Sequence, residues 1–182
     1  MDVSIHMVRM IVLDVWGRVD NWLVKEDVIS YGSSGIGFVN FGTVKNFLSE
    51  KNIITYGNGS RGFNQYDGTI EEAYFENIIT MGDGSIGMQF SKPVGKITIG
   101  NKVSTSGSEG ETLVKGEIKT LKADAISVLK GGAIKEFIVN GDLITKGNNV
   151  ITYHINGGTV EKFDLKGNLI AEGEGSKKES IE

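Results

Sequence analysis

Gly42-Thr43-Val44-Lys45-Asn46-Phe47, followed by Asn52-Ile53-Ile54-Thr55-Tyr56-Gly57-Asn58-Gly59-Ser60-Arg61-Gly62-Phe63, is written almost twice in succession. The second copy reads Gly68-Thr69-Ile70-Glu71-Glu72-Ala73, then Asn77-Ile78-Ile79-Thr80-Met81-Gly82-Asp83-Gly84-Ser85-Ile86-Gly87-Met88. A repeat of this period, with short apolar runs punctuated by glycine, points to a unit that cannot bury its own apolar face and must stack on its neighbours.

Working outward, the anchor Gly-x-[Val/Ile] recurs at Gly17, Gly42, Gly68, Gly95, Gly116, Gly132 and Gly158, giving steps of 25, 26, 27, 21, 16 and 26 residues (42−17, 68−42, 95−68, 116−95, 132−116, 158−132). A second apolar position follows at Trp22, Phe47, Ala73, Ile99, Leu121, Phe137 and Phe163. A second signature of the Ile-Ile-Thr-x-Gly type spans 28–32, 53–57, 78–82, 103–107, 143–147 and 169–173, ending on Gly32, Gly57, Gly82, Gly107, Gly147 and Gly173. A third short run occupies 36–38, 61–63, 86–88, 112–114 and 150–153. Three strand-like pieces per coil predict an all-β chain, a parallel β-solenoid of six to seven coils of about 25 residues. The 16-residue step predicts a short, dented coil near 116–131. Residues 1–16 read as an N-terminal capping strand, 17–173 as the solenoid and 174–182, charged and Gly/Ser-containing, as a flexible tail. No segment carries a 3.6-residue apolar period, so little helix is expected.

The repeat resembles right-handed parallel β-helix proteins, the pectin-lyase-like architecture shared by pectate lyases, tailspikes and autotransporter passengers. The resemblance covers 17–173 and rests on coil length, three strands and glycine turns. It implies the hand of the coil and places a bacterial adhesin or carbohydrate-binding role among the expectations. It carries over no catalytic residue, because none of those families' motifs is matched, and one fold hosts many functions.

Composition narrows the chemistry. The chain has 182 residues with 26 Gly, 1 Pro and no Cys, and its net charge is −4. Thiolate ligands, disulfides and cysteine nucleophiles are excluded, and no basic footprint for nucleic acid is present. No stretch is apolar enough for membrane insertion. No cofactor or metal motif is found: His6 and His154 lack ligand spacing, and His154 reads as a partly exposed strand residue. Gly57–Gly62 and Gly82–Gly87 fit Gly-x-Gly-x-x-Gly, but a strand follows each and the motif recurs at the coil period, so they read as turns built on positive-φ glycines. Asp83, Asn58 and Asp67 share the composition of calcium-binding repeats without their nine-residue period. No signal peptide is visible, which suits a cytoplasmic protein or a piece of a larger cell-surface or secreted chain.

The face assignment gives the functional expectation. Lys146 and Glu172 occupy the column of Tyr31, Tyr56 and Met81, and unpaired charges are not buried. The Ser30/Thr55/Thr80/Thr105/Thr145 column therefore points inward, with hydroxyls expected to bond along the ladder. Ile29, Tyr31, Ile54, Tyr56, Ile79 and Met81 then form an exposed apolar stripe. Tyr31, Ile54, Tyr56 and Met81 are the expected contacts of a non-catalytic structural or binding module that meets a protein partner, a second copy or a glycan. The alternative is a polysaccharide-degrading lyase or hydrolase, which needs acids from adjacent coils in one groove. Glu71, Glu72, Glu76, Glu109 and Glu111 form no such column, and a loop-edge convergence of Arg61 and Asp67 near Tyr66 is the nearest substitute.

Overall fold

The computed structural model describes residues 11–114 and 117–182. They form an all-β, right-handed parallel solenoid of about six turns, the pectin-lyase-like architecture, with no helix among them. The first coil holds β1 (Ile11–Val15), β2 (Arg18–Val24) and β3 (Val28–Ser30). The next three coils each pair a short strand with a long one: β4 (Ile36–Asn40) with β5 (Thr43–Thr55), β6 (Arg61–Gln65) with β7 (Thr69–Thr80), and β8 (Ile86–Phe90) with β9 (Pro93–Thr105). After β10 (Gly110–Val114) and β11 (Glu117–Leu121) come β12 (Ile126–Leu129), β13 (Ala133–Val139) and β14 (Asp142–Thr145), then β15 (Ile151–Asn156), β16 (Thr159–Leu165) and β17 (Leu169–Ala171), and finally β18 (Lys177–Ile181).

Two parallel sheets run along the axis. The first stacks β1-β4-β6-β8-β12-β15-β18, and the second stacks β2-β5-β7-β9-β13-β16, with β3 joined to β5 and β14 to β9 and β17. Inward residues form columns that cross every coil. One reads Phe38, Phe63, Met88, Ile126, Tyr153, and another Val44, Ile70, Val94, Ile134, Val160. At a spacing of ~4.8 Å between strands, each side chain is sealed by those above and below. Phe38, Phe63, Phe75, Phe90 and Phe137 are fully buried, and Phe38 stacks on Phe47 with centroids 4.3 Å apart.

The long strands bend around a corner, and the bend explains why the period wavers. Between Ser49 and Asn52 β5 carries two residues where β7 has only Glu76, and β9 again carries two. Thr43 therefore pairs with Thr69, 26 residues on, whereas Ile53 pairs with Ile78, 25 on. Side chains bridge coils just past the bend: Asn52, Asn77 and Asn101 each donate an Nδ2 hydrogen to Oδ1 of the preceding member of the series Asp27, Asn52, Asn77 at 2.9, 3.0 and 2.8 Å. Asp27 starts the ladder because a carboxylate accepts without needing to donate.

Four expectations change. In the fourth coil Val94, not Ile97, continues the Val44–Ile70 column, so the anchor is Lys92-Pro93-Val94 and Gly95 lies three residues too far. Pro93 takes the first position of its strand, where its fixed φ is tolerated. The short coil near 116–131 does not exist: Pro93 pairs with Ala133, 40 residues on (133−93), because β10 and β11 form an antiparallel hairpin inserted into a coil of ordinary length. Gly116 lies outside the described residues, and Ile118 is 71% exposed. Thr112–Val114 accordingly belongs to the hairpin, and β12 is the true third run. The core is not dented there, since Ile126, Val128 and Ile134 are fully buried.

The charged residues 174–182 carry β18, whose backbone pairs with β15, because exposed charges on an outermost strand leave its amides free to bond. Of the capping strand, Ile11–Val15 is β1, paired with β4, and residues 1–10, including His6, lie outside the described residues.

The turn glycines owe their identity to close approach, not to positive φ. A Cβ on Gly57, Gly82, Gly107, Gly147 or Gly173 would lie within 1.8–2.3 Å of the carbonyl oxygen of the preceding coil's glycine, a column that begins at Gly32. Positive φ falls two residues later, at Ser34, Gly59, Gly84, Asn149 and Gly175.

Candidate functional site

The Ile-Ile-Thr strands do alternate faces. Val28, Ile53, Ile78, Val103 and Leu143 are buried with Ser30, Thr55, Thr80, Thr105 and Thr145, while Ile29, Ile54, Ile79 and Ile144 are half-buried on the other side. The inward hydroxyls do not bond along the ladder as expected. The four threonines reach across their own coils instead: Ser60 Oγ donates to Thr55 Oγ1 at 2.7 Å, Thr80 to the Ser85 carbonyl at 2.9 Å, Thr105 to the Ala123 carbonyl, and Thr145 shares a hydrogen bond with Thr152 at 2.8 Å. Their partners lie on the short sheet or the turn before it, so they pin the two walls of the coil together.

Outside, Tyr31, Tyr56 and Met81 occupy one column, and Tyr56 N–H donates to the Ser30 carbonyl and Met81 N–H to the Thr55 carbonyl, both at 2.9 Å. Tyr31 is 50% exposed, Tyr56 40% and Met81 43%. The two tyrosine rings lie 5.0 Å apart and 8° from parallel. The stacking turns one face of each ring onto the other. The column continues as Ser106, Lys146 and Glu172, whose amides donate to the Thr80, Thr105 and Thr145 carbonyls. The apolar part is thus confined to the first three coils. Leu23 and Leu48 add exposed apolar surface on the same sheet and the same coils.

A second aromatic column lies at the sequence's own 25-residue period. Trp16, Phe41 and Tyr66 recur every 25 residues (41−16, 66−41); Trp16 stacks on Phe41 at 4.2 Å and 12°, and Tyr66 follows at 5.3 Å. Arg61 and Asp67 do not converge beside it. Arg61 opens β6 and bonds Gln89, whereas Asp67 lies beyond the other end and faces Lys92 at 4.0 Å.

The acids are spent on structure. Asn58 Oδ1 accepts the Asp83 N–H at 3.2 Å, and Asp83 Oδ1 accepts the Ser108 N–H at 2.8 Å, so this turn column tethers coil to coil. Glu76 accepts the Tyr74 hydroxyl at 2.5 Å, which pushes the Tyr74 phenol up to about 12. Gly100 leaves room for that pair, since a Cβ there would meet Tyr74 Oη. Glu72, Lys96, Glu136 and Lys162 alternate in sign down one outer column, with Lys162 Nζ 2.6 Å from Glu136. That hydrogen bond holds the Glu136 carboxyl below its ordinary range and the Lys162 ammonium above its own.

One titratable pair escaped the sequence. His154 Nδ1 lies 2.8 Å from Asp124 Oδ2, and Asp124 Oδ1 accepts the Ile151 N–H at 2.8 Å. His154 Nε2 faces Glu182 at 3.9 Å, is buried and has no hydrogen-bond partner. The coil step here is 27 residues (153−126) and His154 lies 30 from Asp124, so the two stand in different columns and no shared spacing marks the pair in the sequence. Buried on both partners, the pair offers no open face to a substrate. No group of three or more His, Cys, Asp or Glu able to hold a metal occurs among the described residues, and no helix there is long and apolar enough to cross a membrane. Compared with known proteins, the chain matches no family model, no curated protein and no solved structure, so any functional reading rests on this geometry.

Proposed function

We propose that this β-helix module is a non-catalytic binding unit that pairs with a second copy of itself through the stripe of Ile29, Tyr31, Ile54, Tyr56, Ile79 and Met81. The observation that carries the reading is the confinement of the exposed Tyr31, Tyr56 and Met81 column to three consecutive coils, with Ser106, Lys146 and Glu172 taking over the same column further on. A contiguous apolar patch on a soluble surface marks an interaction site. A two-fold contact centred on Tyr56 matches the patch to itself: the coil before and the coil after are both 25 residues away (56−31, 81−56), so Tyr31 of one copy meets Met81 of the other. Tyrosine and methionine are enriched at such contacts.

Glycan stacking is the weaker reading, because a sugar ring stacks on an aromatic face and one face of each of Tyr31 and Tyr56 is taken by the other ring. Polysaccharide cleavage is weaker still: it needs two acids open to a groove, and the Asp124–His154 pair is buried. The test is the double variant Tyr31→Ser, Tyr56→Ser. It should keep the β-sheet circular dichroism and melting temperature while weakening self-association at least about tenfold, the loss of roughly 1.4 kcal/mol. An unfolded double variant, or one that associates like the parent, refutes the reading.

A further inference from the structure

The first position of the short sheet's strands reads Ile36, Arg61, Ile86, Asp124, Ile151 down the column. Isoleucine on both coils flanking Arg61 shows that the scaffold accepts an aliphatic side chain there. Arg61 instead carries a guanidinium into a partly buried place, and burial lowers its pKa. No carboxylate among the described residues lies within ion-pair distance of it. Its acceptors are neutral: Nε donates to Gln89 Oε1 at 2.8 Å and Nη1 to the Gly59 carbonyl at 3.2 Å. Nη2 has no acceptor among the described residues.

Asn64 sits directly beside Gln89 in the strand register, is 4% exposed, and its Oδ1 is buried without a donor. A desolvated cation with no counter-ion among the described residues, and a buried acceptor with no donor among them, are each costly. Here both border Gln89, which bonds Arg61 and is the register neighbour of Asn64, and Arg61 stands at a position where neighbouring coils carry isoleucine.

We propose that Arg61, Gln89 and Asn64 form a binding subsite for an oxyanion that retains a donor hydrogen, the chemistry of a phosphate monoanion or of a hydroxy acid. The anion's oxygens meet the free end of the guanidinium fork, which suits two-pronged binding of carboxylate or phosphate. Its hydroxyl donates to Asn64 Oδ1. The subsite is independent of the tyrosine stripe, and its failure would leave that reading untouched.

The experiment is an NMR titration of the wild-type chain at pH 6 with inorganic phosphate, following the Arg61 Nε–H and Gln89 side-chain amide signals, with sulfate, glycolate, acetate and chloride in parallel at matched ionic strength. Phosphate and glycolate should give saturable shifts. Sulfate and acetate, which lack the donor, should bind about tenfold more weakly, and chloride should give only a linear drift. Arg61→Ile should fold, melt no lower than the parent and lose the saturable shift at Gln89, and Arg61→Lys should recover only part of it. Equal linear drifts for all the anions, a saturable shift that survives Arg61→Ile, or an Arg61→Ile chain that fails to fold would each overturn the proposal. The last result would make the Gln89 and Gly59 bonds the whole purpose of the arginine.

Discussion

Gly107→Ala should cost several times what a glycine-to-alanine change costs elsewhere, although the position needs no unusual φ. A Cβ there would stand 1.9 Å from the Gly82 carbonyl oxygen and 2.5 Å from its carbon. An ordinary C···O contact is about 3.3 Å, so the two coils must part by about 1.4 Å. The bonds that hold them at this point are Ser106 N–H to the Thr80 carbonyl at 3.0 Å, Gly84 N–H to the Ser108 carbonyl at 2.9 Å, and Ser108 N–H to Asp83 Oδ1 at 2.8 Å. Losing three at about 1 kcal/mol each predicts a destabilisation of about 3 kcal/mol. With a urea m-value of about 2 kcal/mol/M, the midpoint should fall by roughly 1.5 M. Gly17→Ala is the control: a Cβ there meets nothing within 4 Å, and the stiffer unfolded chain should leave stability unchanged or raised by up to about 1 kcal/mol. Equal effects at the two positions, or a Gly107→Ala cost under about 0.5 kcal/mol, would refute the reasoning that turn identity is set by coil-to-coil approach.

Ser49 is fully buried between Val24 and Phe75 in the ladder and its Oγ has no partner; Ser49→Ala should therefore raise unfolding stability by about 1 kcal/mol, read from the same urea curves, and a loss would show that the hydroxyl is satisfied. Lys96→Glu would place three acids in succession between Glu72 and Glu136, so it should lower the melting temperature at low salt and recover most of the loss in 1 M salt; a salt-independent loss would contradict this. Tyr74, through Glu76, and Tyr153, mainly through burial and then through Glu179, are both pushed up to about 12. The folded state thus holds these protons more tightly than the unfolded one, whose phenols titrate near 10. Their contribution is whole below pH 10 and is lost as pH rises through 12, and an ultraviolet pH titration should show two phenols ionising late and together with unfolding.

The sequence was most legible where period and chemistry agree. Between Gly42 and Met88 the coil step stays at 25 or 26, so strand phase, inward threonines and the outward tyrosines could be read from Lys146 and Glu172 alone. It became opaque where the step changes: the drop of one residue at Glu76 helps shorten the step from Gly68 to 24 (92−68), and the true anchor Lys92-Pro93-Val94 lacks the glycine signature. Gly116-Glu117-Ile118 is a chance copy of the anchor in sequence, whereas Glu117 and Ile118 open β11 of the hairpin. Residue type also cannot tell why a glycine is present; Gly57 and Gly59 look alike in sequence, yet one faces a carbonyl and the other has φ of 64°. Arg61, Asn64 and Gln89 come together only through the lateral register of β6 and β8, and Asp124 and His154 meet from different columns of adjacent coils.

The central claim, that the stripe on the first three coils is a self-contact, is tested most directly by light scattering behind size exclusion across a concentration series. The account predicts a mass that rises from about 20 kDa toward twice the 19.7 kDa chain mass with concentration, and a Tyr31→Ser, Tyr56→Ser variant that stays at the lower value. A wild-type chain that remains monomeric at the highest concentration, or a dimer indifferent to the two substitutions, would contradict it.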